Sequence, residues 1–174
     1  MPEGGIIRPA RPEDAAVLLE IYAPYVEKAW VSFEYSVPSL EEFQRRIIEF
    51  SQNYPYLVYE QDGEILGYAY AHRHMERAAY NWNAELSVYV REDCGGRGVG
   101  TALYGALIPR LRERGLVNLY AVIALPNPGS EAIHRKFGFQ RLGVYPKMGF
   151  KMGDWRDVVE YGLRLRPDHW QPDQ

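Results

Sequence analysis

Four glycines within six residues, Gly95, Gly96, Gly98 and Gly100, constrain this chain more tightly than any other feature of its sequence. They follow Glu85-Leu86-Ser87-Val88-Tyr89-Val90, where apolar and polar residues alternate as in a strand. They precede a segment in which Val99, Ala102, Leu103, Ala106, Leu107 and Leu111 recur at helical spacing. A glycine-rich turn needs no ligand by itself. Between a strand and a helix, however, residues without side chains let several backbone N–H groups point into one concavity, which makes an anion site. The helix dipole adds about 0.3–1 kcal/mol, and Arg97 offers a charge to phosphate oxygens.

Two phosphate-binding patterns fail here. The nucleoside-triphosphate loop G-x-x-x-x-G-K-[ST] needs a lysine after its last glycine, and Thr101 follows Gly100 directly. The dinucleotide fingerprint G-x-G-x-x-G needs its third glycine one residue later than Gly100, and belongs near the start of a repeating βαβ pattern. A third pattern, [QR]-x-x-G-x-[GA] between strand and helix, is met at Gly98 and Gly100, although Gly95 stands where Gln or Arg is usual.

Around this loop the 174 residues read as one domain over 1–166 and a Pro-rich, frayed tail over 167–174. Ile6-Ile7-Arg8 predicts a strand, Pro12 opens an amphipathic helix bearing Val17, Leu18, Ile21, Tyr22 and Val26, and Ser39-Leu40-Glu41-Glu42 reads as the capping box of a second. Tyr56–Glu60 and Ile65–Ala71 flank Asp62-Gly63 as a hairpin. Pro109 should bend or interrupt the helix after the glycines. Leu119–Leu125 predicts a strand, Ser130–Lys136 a short helix, and Phe139–Tyr145 and Val158–Arg166 two more strands.

No run of residues is long and apolar enough to predict a membrane span, and a single cysteine cannot form an internal disulfide, so a cytoplasmic protein is expected. The net charge of −3 argues against a general nucleic-acid binder. It hides an asymmetry: residues 1–93 carry 8 Lys+Arg against 16 Asp+Glu, and residues 94–174 carry 12 against 7. Uneven surface charge would explain this, and so would a small polyanion held by the second half.

The loop pattern resembles the pyrophosphate loop of the GNAT superfamily of N-acetyltransferases, and the likeness extends to about residues 30–160. Ser32-Phe33-Glu34, Arg77-x-x-Tyr80-x-Trp82-x-Ala84-Glu85-x-Ser87-Val88-Tyr89-Val90, Ala121-Val122-Ile123-x-Leu125-Pro126-Asn127, Ser130-x-x-x-His134 with Gly138-Phe139, and Gly149-Phe150-Lys151-x-Gly153-x-Trp155-x-Asp157-Val158 resemble the phosphinothricin or methionine sulfoximine N-acetyltransferases. The resemblance implies an α/β (α+β) GNAT fold, a mixed and strongly twisted sheet with helices on both faces and splayed central strands. It implies acetyl-CoA as co-substrate and no metal. Val88, Tyr89 and Val90 would meet pantetheine, Gly95, Gly96, Arg97, Gly98, Val99, Gly100 and Thr101 would cradle the pyrophosphate, and Asn127 and Ser130 would line the thioester end. A homodimer is implied as well.

An α-amino group with a pKa near 8 is only about one-tenth neutral at pH 7, so acetyl transfer benefits from a base. The resemblance assigns that role to Glu85, a kind of contribution worth about 10²–10⁴-fold, with His134 as general acid or second base. Arg77, with planar bidentate donors, is the candidate partner for an anionic acceptor, while Phe33, Glu34, Tyr80 and Trp82 are expected as pocket walls and an ammonium contact. Cys94, just before a helix N-terminus, raises a ping-pong route, but its place beside the pyrophosphate favours direct transfer. His72 and His74 suggest a metal pair lacking an evident third ligand. Two other readings remain open, an acetyltransferase for a different small amine or protein N-terminus and a non-catalytic CoA-binding regulator.

Overall fold

The computed structural model describes residues 4–171. Strands β1 (Gly5–Pro9), β2 (Tyr56–Gln61), β3 (Glu64–Arg73), β4 (Asn83–Val90), β5 (Asn118–Ala124), β6 (Gln140–Lys151) and β7 (Asp154–Arg164) form one seven-stranded sheet in the order β1-β2-β3-β4-β5-β7-β6. Helices α1 (Ala15–Glu27), α2 (Leu40–Asn53), α3 (Val99–Glu113) and α4 (Pro128–Lys136) cover it. All neighbouring strands are antiparallel except β4 and β5. The mixed α/β architecture expected from the resemblance is the one the chain adopts.

Period-two alternation sorts side chains between two cores. On β2, Leu57 and Tyr59 join α3 and α4 on one face, whereas Tyr56 and Val58 join Leu18, Ile21, Phe43 and Ile47 of α1 and α2 on the other. Local chemistry starts and ends the elements. Ser39 caps α2 by accepting from Glu42 N at 3.1 Å, and the Asp62-Gly63 turn takes positive φ at both residues, as a tight hairpin with native twist requires. Contrary to the expected break, α3 runs through Pro109 to Glu113. The last hairpin is longer than its sequence suggests, because β6 continues past a register shift between Tyr145 and Gly149 and turns at Met152-Gly153, both at positive φ. The tail is not wholly frayed. Trp170 meets Trp82 edge-on at 5.7 Å and Arg164 reaches Asp168 at 2.8 Å, while residues 172–174 lie outside the described part.

The parallel pairing of β4 with β5 is brief. It covers Asn83, Ala84 and Glu85 against Asn118, Leu119 and Tyr120, after which the strands separate. The segment 28–39 between α1 and α2 then docks on the β6–β7 hairpin. Lys151, buried at 4% exposure, donates from Nζ to Val26 O at 2.6 Å and Ser32 O at 2.5 Å. Tyr35 donates to Phe150 O at 2.8 Å, and the Arg156 guanidinium lies 4.2 Å from the Trp30 ring centroid. Phe33 packs directly on Gly149, where a Cβ would lie 2.2 Å from its ring. Gly149→Ala should therefore expel Phe33 and destabilise the protein by about 1–3 kcal/mol, the usual cost of overpacking. Denaturant unfolding measures this, and an unchanged midpoint would refute the contact.

Candidate active site

The separation of β4 from β5 leaves Leu86–Val90 without a strand partner on that side, since β4 stays paired only with β3. A wedge opens there, lined by Ser87, Val88 and Tyr89 of β4, Ala121 to Ala124 of β5, Tyr104 of α3, and Asn127, Ser130 and His134 at α4. Unpaired strand edges inside a protein must find partners, and an extended ligand carrying amides supplies them as an added strand would. One residue of this edge already has a partner. The Tyr25 hydroxyl donates to Val90 O at 2.6 Å and accepts from Val90 N at 3.4 Å.

Beyond the wedge the glycine cluster forms the start of α3. Gly98 is its N-cap at φ 84°, in the left-handed region that only glycine enters freely, and Gly96 has φ 75°. No side chain caps this end, so its first N–H groups are available to an anion. A groove beside it is lined by Arg97, Gly98, Thr101 and Lys136, two cations next to the helix start. A ligand with an amide-bearing arm and a pyrophosphate thus finds an edge and a cradle in continuous order.

His134 is buried at 3% exposure. Its Nδ1 lies 2.7 Å from Ser130 O, which can only accept, so Nδ1 carries the hydrogen. Nε2 is then an acceptor, and Tyr104 donates to it at 3.1 Å. Burial lowers the His134 pKa, partly offset by the Ser130 bond, and burial pushes the Tyr104 phenol well above its ordinary value. Neutral His134 therefore has no proton on Nε2 to give, and that nitrogen instead receives the Tyr104 hydroxyl hydrogen. Asn127 caps α4, accepting from Ser130 N at 3.1 Å, which fixes the turn that presents His134.

Residues 7–159 match the acetyltransferase (GNAT) domain. A phosphinothricin N-acetyltransferase of Alcaligenes faecalis is 37% identical over 163 residues, covering 92% of this chain and 81% of the relative. An L-methionine sulfoximine/L-methionine sulfone acetyltransferase of Pseudomonas aeruginosa is 39% identical over 122 residues, 70% of this chain and 71% of the relative. The solved structure of a GNAT superfamily phosphinothricin acetyltransferase from Sinorhizobium meliloti in complex with AcCoA superimposes with a TM-score of 0.94 at 32% identity, covering 98% of this chain and 94% of that one. The chain belongs to the GNAT acetyltransferase family. It is an N-acetyltransferase with acetyl-CoA as its donor, and the open edge, uncapped glycine turn and flanking cations suit that molecule.

On this GNAT scaffold Glu85 is the last β4 residue paired with β5, at the vertex of the fork. Its Oε2 lies 3.3 Å from His74 Nδ1, and its Oε1 is 4.0 Å from His72 Nε2, beyond hydrogen-bond range. The two histidines considered as a metal pair thus both turn toward this carboxylate. Cys94 is buried in the glycine turn between Asp93 Oδ1 and Arg97, each at 3.4 Å, and does not line the wedge.

The expected acceptor residues divide. Glu34 is taken up internally: Arg46 grips it at 2.7 and 3.1 Å and Tyr22 donates to it at 2.6 Å. Burial would raise its pKa, but the Arg46 and Tyr22 bonds outweigh that and lower it. It anchors the loop rather than offering a free carboxylate. Trp82 precedes β4 at the closed end of the fork and meets Trp170 there, so its ring lies away from the wedge. Arg77 and Tyr80 stand exposed on the 3₁₀ segment between β3 and β4, and the Arg77 guanidinium makes no ion pair among the described residues. Sequence reasoning missed Tyr104, hidden in the apolar face of α3, and Tyr25, which carries no local signal.

Because folding lowers the His134 pKa below the ordinary 6.5, the unfolded chain binds this proton more readily. The contribution is intact above that value and is lost as pH falls through it. The melting temperature should drop between pH 7.5 and 5.5, and His134→Asn should flatten that slope. An equal slope in both proteins would contradict the neutral, Nδ1-protonated ring.

Proposed function

We propose that the enzyme moves the acetyl group of acetyl-CoA directly to the amino group of a small amino-acid-like acceptor such as phosphinothricin or methionine sulfoximine, with Glu85 as general base. The observation that carries this is the position of Glu85 at the vertex of the fork, with one carboxylate oxygen free to accept a proton. Bound acetyl-CoA supplies an activated thioester. Val88 and Val90 offer it backbone groups with Tyr89 beside them, Gly95 to Thr101 hold its pyrophosphate, and Asn127 and Ser130 border its reacting end. Engagement of Val90 requires the Tyr25 hydroxyl to yield. Glu85 takes the ammonium proton, and the Tyr104 hydroxyl, which rests on His134 Nε2 at the lining of the wedge, turns from that nitrogen to give the departing thiolate its proton. Arg77 meets the anionic end of the acceptor, Tyr80 borders it, and Phe33 forms the wall that Lys151 and Gly149 hold in position.

The names of the relatives support this acceptor class, and thiol release tests it. Phosphinothricin and methionine sulfoximine should both release CoA thiol. Release only with unrelated amines would leave the acetyltransferase and refute the acceptor. Glu85→Gln should lower kcat by about 10²–10⁴-fold, the span of a positioned base, with KM for acetyl-CoA little changed. An unaltered kcat would remove Glu85 from the chemistry.

A cytoplasmic homodimer completes the reading. The β6–β7 hairpin exposes Leu142, Val144, Tyr145, Met148, Phe150 and Trp155 at 39–61%, an apolar face larger than scattered surface residues explain. A second copy of the chain covers it. Met148→Lys with Trp155→Glu should shift sedimentation from dimer to monomer, and a wild-type protein that sediments as a monomer would refute the assembly.

A further inference from the structure

His74 follows β3 with its ring largely buried and stacked on Tyr120 of β5, centroids 4.4 Å apart. Two carboxylates face its two nitrogens. Nδ1 lies 3.3 Å from Glu85 Oε2, and Nε2 lies 3.5 Å from Glu160 Oε1 on β7. Glu160 is held in turn by the Tyr145 hydroxyl at 3.1 Å. His72 stands next to Glu85 without hydrogen-bonding it, and Arg164 acts electrostatically on Tyr120 from the neighbouring strand.

An ionised carboxylate only accepts hydrogen bonds, so the ring answers Glu85 with an Nδ1–H donor. A glutamate has three side-chain torsions, and a base works only when its oxygen is held where the proton will be. The ring is itself immobilised, by Tyr120 beneath it and Glu160 behind it. This is the arrangement in which a base is oriented by a second group and that group by a third.

We propose that His74, braced by Glu160, is the positioning residue of Glu85, fixing Oε2 so that Oε1 alone is presented to the acceptor ammonium. The inference rests on the reading of Glu85 as the base. His74 does not touch the acceptor. The chain Glu85–His74–Glu160–Tyr145 also runs from the fork to the exposed face of β6, because Tyr145 is 47% exposed there.

Two substitutions separate positioning from packing. His74→Phe keeps a ring to stack on Tyr120 and loses the donor to Glu85, whereas His74→Gln loses the stack and keeps a donor. Positioning predicts that His74→Phe lowers kcat by about ten- to a hundredfold, part of what a base contributes, with KM for acetyl-CoA unchanged. His74→Gln should recover part of that loss. Glu160→Gln, which leaves the ring and its stack intact, should lower kcat several-fold. His74→Phe combined with Glu85→Gln should be no slower than Glu85→Gln alone, since a positioning residue has nothing left to position. Wild-type kcat in His74→Phe, a slower His74→Gln than His74→Phe, or a further loss in the double variant would each overturn the inference while Glu85 stands as base. Wild-type kcat in Glu85→Gln would instead remove the base reading, and this inference with it.

Discussion

Everything distinctive in this protein follows from three residue pairs. Asn83, Ala84 and Glu85 bond in parallel to Asn118, Leu119 and Tyr120, and nothing continues the ladder. A strand edge left open in the middle of a sheet is costly unless something completes it. Here the opening begins at Glu85 and leads past Val88 and Val90 to the uncapped start of α3. Glu85, the open edge and the uncapped glycine turn are therefore consecutive stations on one strand and the turn that follows it. The Tyr25 hydroxyl already bonds both backbone groups of Val90, which shows how strongly that edge demands a partner.

The second half of the site arrives by a different route. The segment between α1 and α2 has little secondary structure of its own, and its shape comes from the β6–β7 hairpin far along the chain. Among the described residues, no carboxylate lies within bonding distance of buried Lys151. Two main-chain carbonyls satisfy it instead, one from the end of α1 and one from Ser32, and burial lowers its pKa while Glu34 opposes the shift. Removing one partner of such a buried charge is far costlier than the net worth of the bond, so the lysine ties the loop to the hairpin. Arg46 and Tyr22 hold the same loop from the α1–α2 side through Glu34. Phe33 is thereby clamped between two independently anchored supports.

How much of this was readable in the sequence depended on whether the cause was local. Period-two runs such as Leu86-Ser87-Val88-Tyr89-Val90, the Ser39 cap and the Asp62-Gly63 turn announce themselves within a few residues, and those elements formed where expected. The glycine turn was equally legible, because φ 84° at Gly98 is a requirement on that residue alone. Where tertiary contact decides, local pattern fails. Val17 and Leu40 fit the apolar periodicity of their helices yet are 39% and 50% exposed. Helix α3 survives Pro109 because packing of Leu107, Ile108 and Leu111 holds the turns on either side. Trp82 belongs to a motif that borders the site, but a tail residue 88 positions later claims its ring. Glu34 reads as a free carboxylate until the fold brings Arg46 to it.

The two titratable residues expected at the reaction centre, Glu85 and His134, end up in opposite electrostatic settings. His134 is sealed among Tyr104, Phe139 and Tyr161 with a backbone carbonyl fixing its tautomer, and burial keeps it neutral. Glu85 is partly exposed, flanked by histidines and backed by a second carboxylate. Acetyl transfer to an amine asks for a proton to be accepted at one place and another delivered at a second. The proposed first task falls to the Glu85 carboxylate at the vertex, where an acceptor amine would meet it. The proposed second task falls to the buried Tyr104 hydroxyl, whose partner is the neutral His134 ring. Two like groups could not serve both ends, and the fold separates them by setting one where the strands part and the other inside the wedge they leave.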